Sequence, residues 1–177
     1  MSVFLAVELD EAVRREVMAA SEPARARVNA KWLPSEKLHL TLVFLGNPAA
    51  DQLPGLVEIS QRLVNVRPFS LELVGTGTFV TARAPSVLWL GVGGDLASLA
   101  TLQRRCVADF AQRDERPFRP HVTLARAHED DALTPVAQEL ASFRGRPFEV
   151  NRLVLYESTH HRFHALTTVS LAGAAAL

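Results

Sequence analysis

Two short apolar runs each contain the pattern His-x-Thr, and this repeat constrains the fold more than any other feature of the chain. The first run is Leu38–Leu45 and the second is Pro120–Ala125. The polar residues they carry are His39, Thr41, His121 and Thr123. Alternate residues of a strand face opposite sides of its sheet, so each run predicts a strand with imidazole and hydroxyl on one face and aliphatic side chains on the other. Both aliphatic faces must be buried while both polar faces stay open.

Helix and strand signals surround the two runs in a similar order. Helix caps are predicted at Asp10, Asp51 and Asp95, and the third helix is expected to run to about Arg113. The other predicted strands are Val3–Leu9, Phe69–Val74, Val87–Leu90, Phe148–Tyr156 and Ala165–Leu171. This loose duplication predicts one domain over residues 1–177, made of two similar α+β lobes with mostly antiparallel sheets. A hydrophobic content of 48% is enough for a sizeable core.

The single cysteine and the chain's opening narrow the class of protein. Cys106 is the only cysteine, which excludes an internal disulfide and a multi-cysteine metal site. Its spacing from Leu99, Leu102 and Phe110 fits an apolar helical stripe, so a packing role is expected. Apolar runs are too short to cross a bilayer, and the opening residues have no leader pattern, so a cytoplasmic protein is expected.

Formal net charge is zero, which argues against a protein that coats nucleic acid by charge alone. A local basic site remains compatible with this balance. Four arginines gather around the second His-x-Thr pattern: Arg113, Arg116, Arg119 and Arg126. Arginine suits bidentate phosphate binding, but an arginine-rich chain can also reflect genome composition, so only the position of these residues is informative.

If the two polar faces meet, two imidazoles flank two hydroxyls. In-line displacement at phosphorus needs a base for the attacking water and an acid for the leaving oxygen, and two histidines can divide these roles near neutral pH. Threonine hydroxyls can donate hydrogen bonds to the non-bridging oxygens. The pattern therefore favours hydrolysis of a cyclic phosphodiester without a metal ion or other cofactor.

Other motifs in the sequence are less specific indicators of function. His160, His161 and His164 are expected in a loop, as solvated or RNA-contacting residues rather than metal ligands, and His128 is expected at the surface. Gly91–Gly94 is interpreted as a plain turn and not as a dinucleotide-binding loop. The segment Gly75-Thr76-Gly77 lacks the lysine of a phosphate loop and is interpreted as a bend.

The two patterns in their contexts resemble the two-histidine (2H) phosphoesterases, in particular the bacterial RNA 2′,3′-cyclic phosphodiesterases, also named 2′-5′ RNA ligases. The matching stretches are spread over nearly the whole chain: Phe4–Leu9, Trp32–Gly46, Gly77–Phe79, Val87–Val92, Phe118–Arg126 and Leu153–Ser158. The resemblance implies a bilobal α+β fold with pseudo-two-fold symmetry, a central cleft and helices on the outside.

It also implies a substrate and roles for the site residues. The substrate would be RNA ending in a 2′,3′-cyclic phosphate, opened to a 2′-phosphate by a monomeric enzyme. By the family pattern His121 would activate water as general base, His39 would protonate the leaving 3′ oxygen as general acid, and Thr41 and Thr123 would bind the phosphate. ATP-independent 2′-5′ joining of RNA ends is available by the same type of phosphoryl transfer.

Phe44 and Arg126 each follow their histidine by five residues, so strict alternation would turn both away from the histidines. Core packing is therefore expected for Phe44, and the role of Arg126 in holding the phosphate or a neighbouring nucleotide depends on how its strand ends. The chain departs from the family in Ser158–His164, with Phe163 where an aromatic hydroxyl is expected, which affects fine selectivity rather than chemistry.

Two alternatives stay open at this point. One is a cyclic phosphodiesterase acting on a small nucleotide, such as an ADP-ribose cyclic phosphate, which relative rates on mononucleotide and oligonucleotide substrates would distinguish. The other is a module that binds RNA ends without cutting them, which binding without turnover would reveal.

Overall fold

The computed structural model describes residues 2–81, 84–112, 117–128, 132–159 and 162–173, which form nine strands and four α-helices. The strands are β1 (Ser2–Glu8), β2 (Lys31–Trp32), β3 (His39–Gly46), β4 (Phe69–Thr81), β5 (Ala84–Gly94), β6 (His121–Ala127), β7 (Phe148–Val150), β8 (Arg152–Thr159) and β9 (Arg162–Ser170). The helices are α1 (Glu11–Arg27), α2 (Leu53–Gln61), α3 (Leu96–Asp109) and α4 (Thr134–Glu139).

All strand pairs of the described residues are antiparallel and belong to one sheet. The order is β7-β4-β5-β6-β3-β1-β8-β9, and β2 pairs with β6 beyond the contact with β3. Four strands lie on each side of the β6–β3 contact, so the order has a pseudo-two-fold centre there. The α+β class with antiparallel pairing is confirmed, whereas the division of residues 1–177 into two lobes of one domain stays a prediction.

The sheet is strongly curled, which follows from two residues that are close in sequence but lie towards its opposite ends. Val150 ends β7 at one edge, and Arg152 begins β8 near the other edge. One intervening residue can connect these strands only if the two ends of the sheet approach each other. The prediction of a single strand over Phe148–Tyr156 was therefore wrong, since its two parts pair with β4 and with β1.

Helix caps follow the sequence signals in two of three cases. Asp10 accepts a hydrogen bond from the backbone N–H of Val13 at 2.7 Å, and Asp95 accepts one from Ser98 at 3.0 Å. Asp51 lies in a 3₁₀ turn and does not cap α2, which begins at Leu53 without a side-chain cap. Helix α3 ends at Asp109, earlier than predicted, and helix α4 was not predicted.

The core lies on one face of the two central strands. Leu40, Leu42, Val122 and Leu124 are at most 3% exposed and belong to the main hydrophobic cluster. Cys106 is also fully buried, as predicted, and burial raises the pKa of its thiol to about 12. None of the helices within the described residues has both the length and the apolar character that crossing a bilayer requires.

The glycine segments predicted as a turn and a bend lie inside the long strands β4 and β5. Gly75 has φ +62° where the β4–β5 register shifts, which is the geometry of a β-bulge. Gly77 lies directly beneath the indole of Trp89, its partner on β5, and a Cβ at this position would overlap the ring. Glycine thus allows a β-bulge at position 75 and close packing at position 77. Short-range sequence patterns do not distinguish these two uses of glycine from turns.

Candidate active site

The two His-x-Thr segments lie next to each other at the centre of the sheet. Leu40 of β3 pairs with Val122 of β6, so the antiparallel register brings each histidine beside the threonine of the other strand. The four polar side chains are His39, Thr41, His121 and Thr123, and all are partly buried. We call the face that carries them the site face.

Each imidazole is oriented by a backbone carbonyl two residues earlier. Nδ1 of His39 lies 2.7 Å from the carbonyl oxygen of Lys37, and Nδ1 of His121 lies 2.7 Å from that of Arg119. A carbonyl oxygen only accepts, so Nδ1 must be the donor in both rings. Nε2 is then an acceptor in a neutral ring and a donor in a protonated one, which leaves it available for proton transfer on both histidines.

The two imidazoles have different aromatic surroundings. The ring of Phe4 stacks on His39 at 4.9 Å between centroids, and Phe163 contacts it edge-on at 5.4 Å. His121 contacts Phe79 edge-on at 5.0 Å and lies 6.4 Å from Trp89. His39 thus lies in the more enclosed half of the site.

This enclosure controls the protonation of His39. Burial lowers the pKa of His39 to about 4, outweighing the Lys37 carbonyl, and the charges of His121, Arg126 and Arg14 lower it further. The ring is therefore neutral at pH 7 in the free protein. His121 and Arg126 therefore lie within electrostatic range of His39.

Arg14 belongs to a fixed ion-pair group beside His39. Glu8, which is in register with His39, accepts from Arg14 at 3.0 Å and from Arg152 at 2.8 Å. The Glu8 and Arg14 side chains are 23% and 18% exposed, so this pair is largely shielded from solvent. The Nε of Arg14 is buried without a hydrogen-bond partner in the described structure. The positive charge of Arg14 is one of the causes of the low pKa of His39.

Two matching bulges determine which side chains join the site face. Along β3 the register with β1 skips Leu42, and along β6 the register with β5 skips Leu124. Each extra residue reverses the alternation that follows it. Phe44 and Arg126 are therefore turned towards the site face, and both are exposed, Phe44 by 64%. The expectation that Phe44 packs in the core was wrong, because alternation is not strict in this strand.

Further predicted residues lie at the margins of the site or outside it. His164 is exposed within strand β9 and not in a loop, and His128 is exposed as expected. Arg113, Arg116, His160 and His161 lie outside the described residues. In the part of the chain that the structure describes, no group of three or more His, Cys, Asp or Glu side chains is arranged to hold a metal ion.

Phe163 was noted in the sequence, but the other aromatic residues around the histidines were not predicted as site residues: Phe4, Phe79, Trp89 and Tyr156. Tyr156 is opposite Phe4 on β8, its ring lies 6.4 Å from His39, and burial raises the pKa of its phenol, so it is a hydroxyl donor at neutral pH. Phe163 of β9 is in register with Ser158, two residues after Tyr156, and its ring centroid lies 5.7 Å from that of Tyr156. Aromatic character was visible in the sequence, but the strand register that brings these rings to His39 was not.

Comparison with known proteins gives a family match over most of the chain. A model of the 2′-5′ RNA ligase superfamily matches residues 9–162. A relative from Geobacillus stearothermophilus named RNA 2′,3′-cyclic phosphodiesterase is 30% identical over 174 residues, covering 94% of this chain and 55% of its own length. This chain thus spans little more than half of that relative. A relative of the same name from Archaeoglobus fulgidus is 31% identical over 130 residues, covering 71% of this chain and 72% of its own.

Solved structures agree with this match. The crystal structure of a Thermus thermophilus protein superposes with a TM-score of 0.80 at 26% identity, over 99% of this chain and 100% of that one. Escherichia coli LigT in its apo form superposes with a TM-score of 0.74 at 25% identity, over 96% of both chains. With the family model and these structures in agreement, the chain belongs to the 2′-5′ RNA ligase superfamily of two-histidine phosphoesterases.

Proposed function

We propose that the chain hydrolyses RNA ends bearing a 2′,3′-cyclic phosphate to 2′-phosphates, by acid–base catalysis from two histidines without a metal ion. The main support is the pair of imidazoles whose Nδ1 atoms are held by the Lys37 and Arg119 carbonyls, which leaves both Nε2 atoms for proton transfer. The relatives named RNA 2′,3′-cyclic phosphodiesterase support the substrate. A cytoplasmic, monomeric enzyme and a capacity for 2′-5′ RNA joining belong to the same proposal.

The proposed reaction divides between the two rings. Nε2 of His121 takes a proton from water as the water oxygen bonds to phosphorus, and the bond between phosphorus and the 3′ oxygen breaks. Nε2 of His39 gives its proton to that leaving oxygen, which yields a 3′-hydroxyl and a 2′-phosphate. The hydroxyls of Thr41 and Thr123 donate hydrogen bonds to the non-bridging oxygens. Proton exchange with solvent then restores both histidines.

For His39 to act as the general acid, the bound substrate must raise the pKa of its ring. At pH 7 a ring with a pKa of about 4 is neutral, and protonating it costs about 4 kcal/mol. An anion at about 4 Å contributes about 4 kcal/mol at an effective dielectric constant of about 20. A bound phosphate monoanion therefore offsets the cost, and His39 takes up its proton as the substrate binds.

The two flanks of the site suit the base and the phosphate of a nucleotide. The exposed ring of Phe44 provides a stacking surface for the terminal base. The exposed Arg126 provides a cation for a phosphate or for the neighbouring nucleotide. Both belong to the proposal as substrate-binding residues.

The decisive experiment is product analysis on an RNA oligonucleotide ending in a 2′,3′-cyclic phosphate, with EDTA present. The protein is expected to yield a 2′-phosphate, and His39→Ala and His121→Ala each to lose about 10²- to 10⁴-fold in rate. Binding of the RNA without turnover would remove the enzyme proposal. Activity that EDTA abolishes and added metal restores would remove the metal-free mechanism.

A further inference from the structure

Tyr156 and Phe79 occupy equivalent positions in the two halves of the sheet. Phe44 and Arg126 are equivalent to each other, since each follows its histidine by five residues and by the same kind of bulge. Two strands outwards from Phe44, the residue in register on β8 is Tyr156. Two strands outwards from Arg126, the residue in register on β4 is Phe79. Side chains in register project from the same face, so both rings belong to the site face.

Each of these two rings lies near the histidine of its own half. The ring centroid of Tyr156 is 6.4 Å from that of His39, and the centroid of Phe79 is 5.0 Å from that of His121. Tyr156 is the only tyrosine of the chain. The two rings therefore differ by one phenol hydroxyl, which is present on the His39 side.

The Tyr156 hydroxyl keeps its proton at neutral pH. Burial and the carboxylate of Glu8 raise the pKa of the phenol, and these effects outweigh the charges of Arg14 and Arg152. Arg14 also acts on the pKa of His39, so the phenol and the imidazole both lie within electrostatic range of one guanidinium. Tyr156 is therefore a neutral hydrogen-bond donor in the His39 half of the site.

A hydrogen-bond donor has opposite effects on the two sides of an in-line displacement at phosphorus. The leaving oxygen gains negative charge as its bond to phosphorus breaks, and a hydrogen bond donated to it stabilises that charge. The attacking water needs its lone pair for the new bond, so a hydrogen bond donated to that lone pair slows the attack. A hydroxyl beside His39 and a hydrocarbon ring beside His121 thus suit a leaving oxygen at His39 and a water molecule at His121.

The imidazole of His39 and the phenol of Tyr156 are close enough to share one acceptor. Two donor atoms that share an oxygen lie at most about 5.6 Å apart, since each hydrogen bond is about 2.8 Å long. Ring centroids 6.4 Å apart are compatible with this limit, because Nε2 and the hydroxyl lie at the periphery of their rings. The rings of Phe4 and Phe163, at 5.5 and 5.7 Å, support the phenol in this half of the site.

We propose that the hydroxyl of Tyr156 donates a hydrogen bond to the 3′ oxygen of the substrate while the bond between that oxygen and phosphorus breaks. This inference rests on the proposed function. The electron pair of the breaking bond goes to the 3′ oxygen, the proton that this oxygen takes up comes from Nε2 of His39, and Tyr156 keeps its own proton. Tyr156 is then a second donor to the leaving group, and the 2′-phosphate product retains the contact through its 3′-hydroxyl.

Tyr156→Phe is the direct test, because it removes the hydroxyl and keeps the ring. With adenosine 2′,3′-cyclic phosphate, kcat is expected to fall about 10- to 100-fold with little change in KM. With a nucleotide phosphodiester that releases nitrophenolate, whose charge is spread over its own ring, kcat is expected to fall less than about threefold. An equal fall on both substrates would assign Tyr156 a packing role and overturn the inference.

Two further variants separate a direct contact from an effect through the histidines. In the His39→Ala background, Tyr156→Phe is expected to lower the remaining rate on the cyclic phosphate by a further factor of about ten. No further loss would mean that Tyr156 only positions the imidazole, which contradicts the inference. Phe79→Tyr is the matched control, because it adds a hydroxyl at the equivalent position beside His121. It is expected not to restore kcat to Tyr156→Phe, and full restoration would show that the side of the hydroxyl is irrelevant.

Product binding tests the contact without catalysis. Adenosine 2′-monophosphate carries the 3′-hydroxyl and its 3′-deoxy analogue does not, and the unmodified protein is expected to bind the first about tenfold more tightly. Tyr156→Phe is expected to reduce this preference to about threefold or less. Because Tyr156 is the only tyrosine, isotope labelling of the tyrosine Cζ carbon gives a single NMR signal. This signal is expected to shift with adenosine 2′-monophosphate and to shift much less with the deoxy analogue.

The outcomes separate the inference from the function on which it rests. If the unmodified protein opens the cyclic phosphate and Tyr156→Phe matches it in kcat, the inference is overturned and the proposed function stands. The same holds if the NMR signal responds equally to both product ligands. If the unmodified protein opens no cyclic phosphate, the proposed function fails and the inference fails with it.

Discussion

Phe44 and Arg126 occupy equivalent positions in the two central strands, each five residues after its histidine and each turned to the site face by a one-residue bulge. The burial patterns of the two strands are identical over these six residues. Backbone symmetry is thus combined with opposite chemistry, an exposed aromatic ring on one flank and a guanidinium on the other. Two nearly equivalent half-sites can therefore bind an asymmetric substrate in one orientation.

Replacing Phe44 by alanine distinguishes substrate binding from core packing. A ring that is 64% exposed contributes little to stability, so Phe44→Ala is expected to cost under about 1 kcal/mol in unfolding free energy, against about 3–5 kcal/mol for a buried phenylalanine. KM for a nucleoside 2′,3′-cyclic phosphate is expected to rise about fivefold or more, from lost stacking. Urea unfolding and steady-state kinetics measure both effects.

Phe110→Ala is the matched control, because this phenylalanine is only 5% exposed. It is expected to lose several kcal/mol of stability and, where folded, to keep its KM. A loss of stability in Phe44→Ala as large as in Phe110→Ala would restore core packing as the role of Phe44.

Local features of the fold were predictable because their causes are local. The alternation in each His-x-Thr run places Leu40 and Val122 in the core, and both are fully buried. The caps at Asp10 and Asp95 depend only on a carboxylate and an N–H three residues later. These signals need no knowledge of the partner strands.

The surroundings of the histidines were not predictable because they depend on pairing between distant segments. Phe4 reaches His39 only through the register of β1 with β3, and nothing near Phe4 in sequence specifies it. The bulge residues Leu42 and Leu124 are ordinary aliphatics without a turn signal, so the reversal of alternation after them was not predicted. The break between Val150 and Arg152 likewise depends on distant segments, because the two residues belong to strands that pair with β4 and with β1.

The division of roles between His39 and His121 can be tested with a leaving group that needs no proton. A nucleotide phosphodiester with a nitrophenolate leaving group bypasses the general acid but still requires a base for water. His39→Ala is expected to recover most activity on this ester relative to the cyclic phosphate, while His121→Ala stays inactive. Release of nitrophenolate is followed by absorbance, and recovery in His121→Ala alone would reverse the assignment.

Proton uptake on binding is expected because His39 is neutral in the free protein at pH 7. Calorimetric titration with a non-hydrolysable cyclic phosphate analogue, in buffers of different ionisation enthalpy, is expected to report about half a proton taken up per site at pH 7 and close to one at about pH 6. Arg126→Met removes a charge that lowers the pKa of His39 and is expected to shift the uptake to slightly higher pH. Equal uptake by the protein and by His39→Asn would assign the proton to another group.

The low pKa of His39 also predicts how stability changes with pH. In the unfolded chain the ring binds a proton below about pH 6.5, whereas in the folded protein it does so only below about pH 4. As the pH falls from 6.5 to 4, the unfolded state gains protons that the folded ring does not, so the fold loses up to about 3 kcal/mol. His39→Asn is expected to flatten this part of the urea-unfolding profile, and His128→Asn, at an exposed position, is the control. An unchanged profile in His39→Asn would show that the ring is not held neutral.

The contact between Gly77 and the Trp89 indole predicts a difference between two glycine substitutions. Gly77→Ala places a methyl group into the ring of Trp89, whose centroid lies 5.2 Å from that of Phe79 and 6.4 Å from that of His121. Displacing the indole is expected to cost about 1–3 kcal/mol in unfolding free energy and to lower kcat by disturbing His121. Gly55→Ala on helix α2 meets no atom within 4 Å, and it is expected to stabilise the protein by about 0.5–1 kcal/mol with kcat unchanged. Urea unfolding measures the stability of both variants, and kcat is measured on one cyclic phosphate substrate. A Gly77→Ala variant as stable and active as Gly55→Ala would exclude the Trp89 ring as a rigid support for His121.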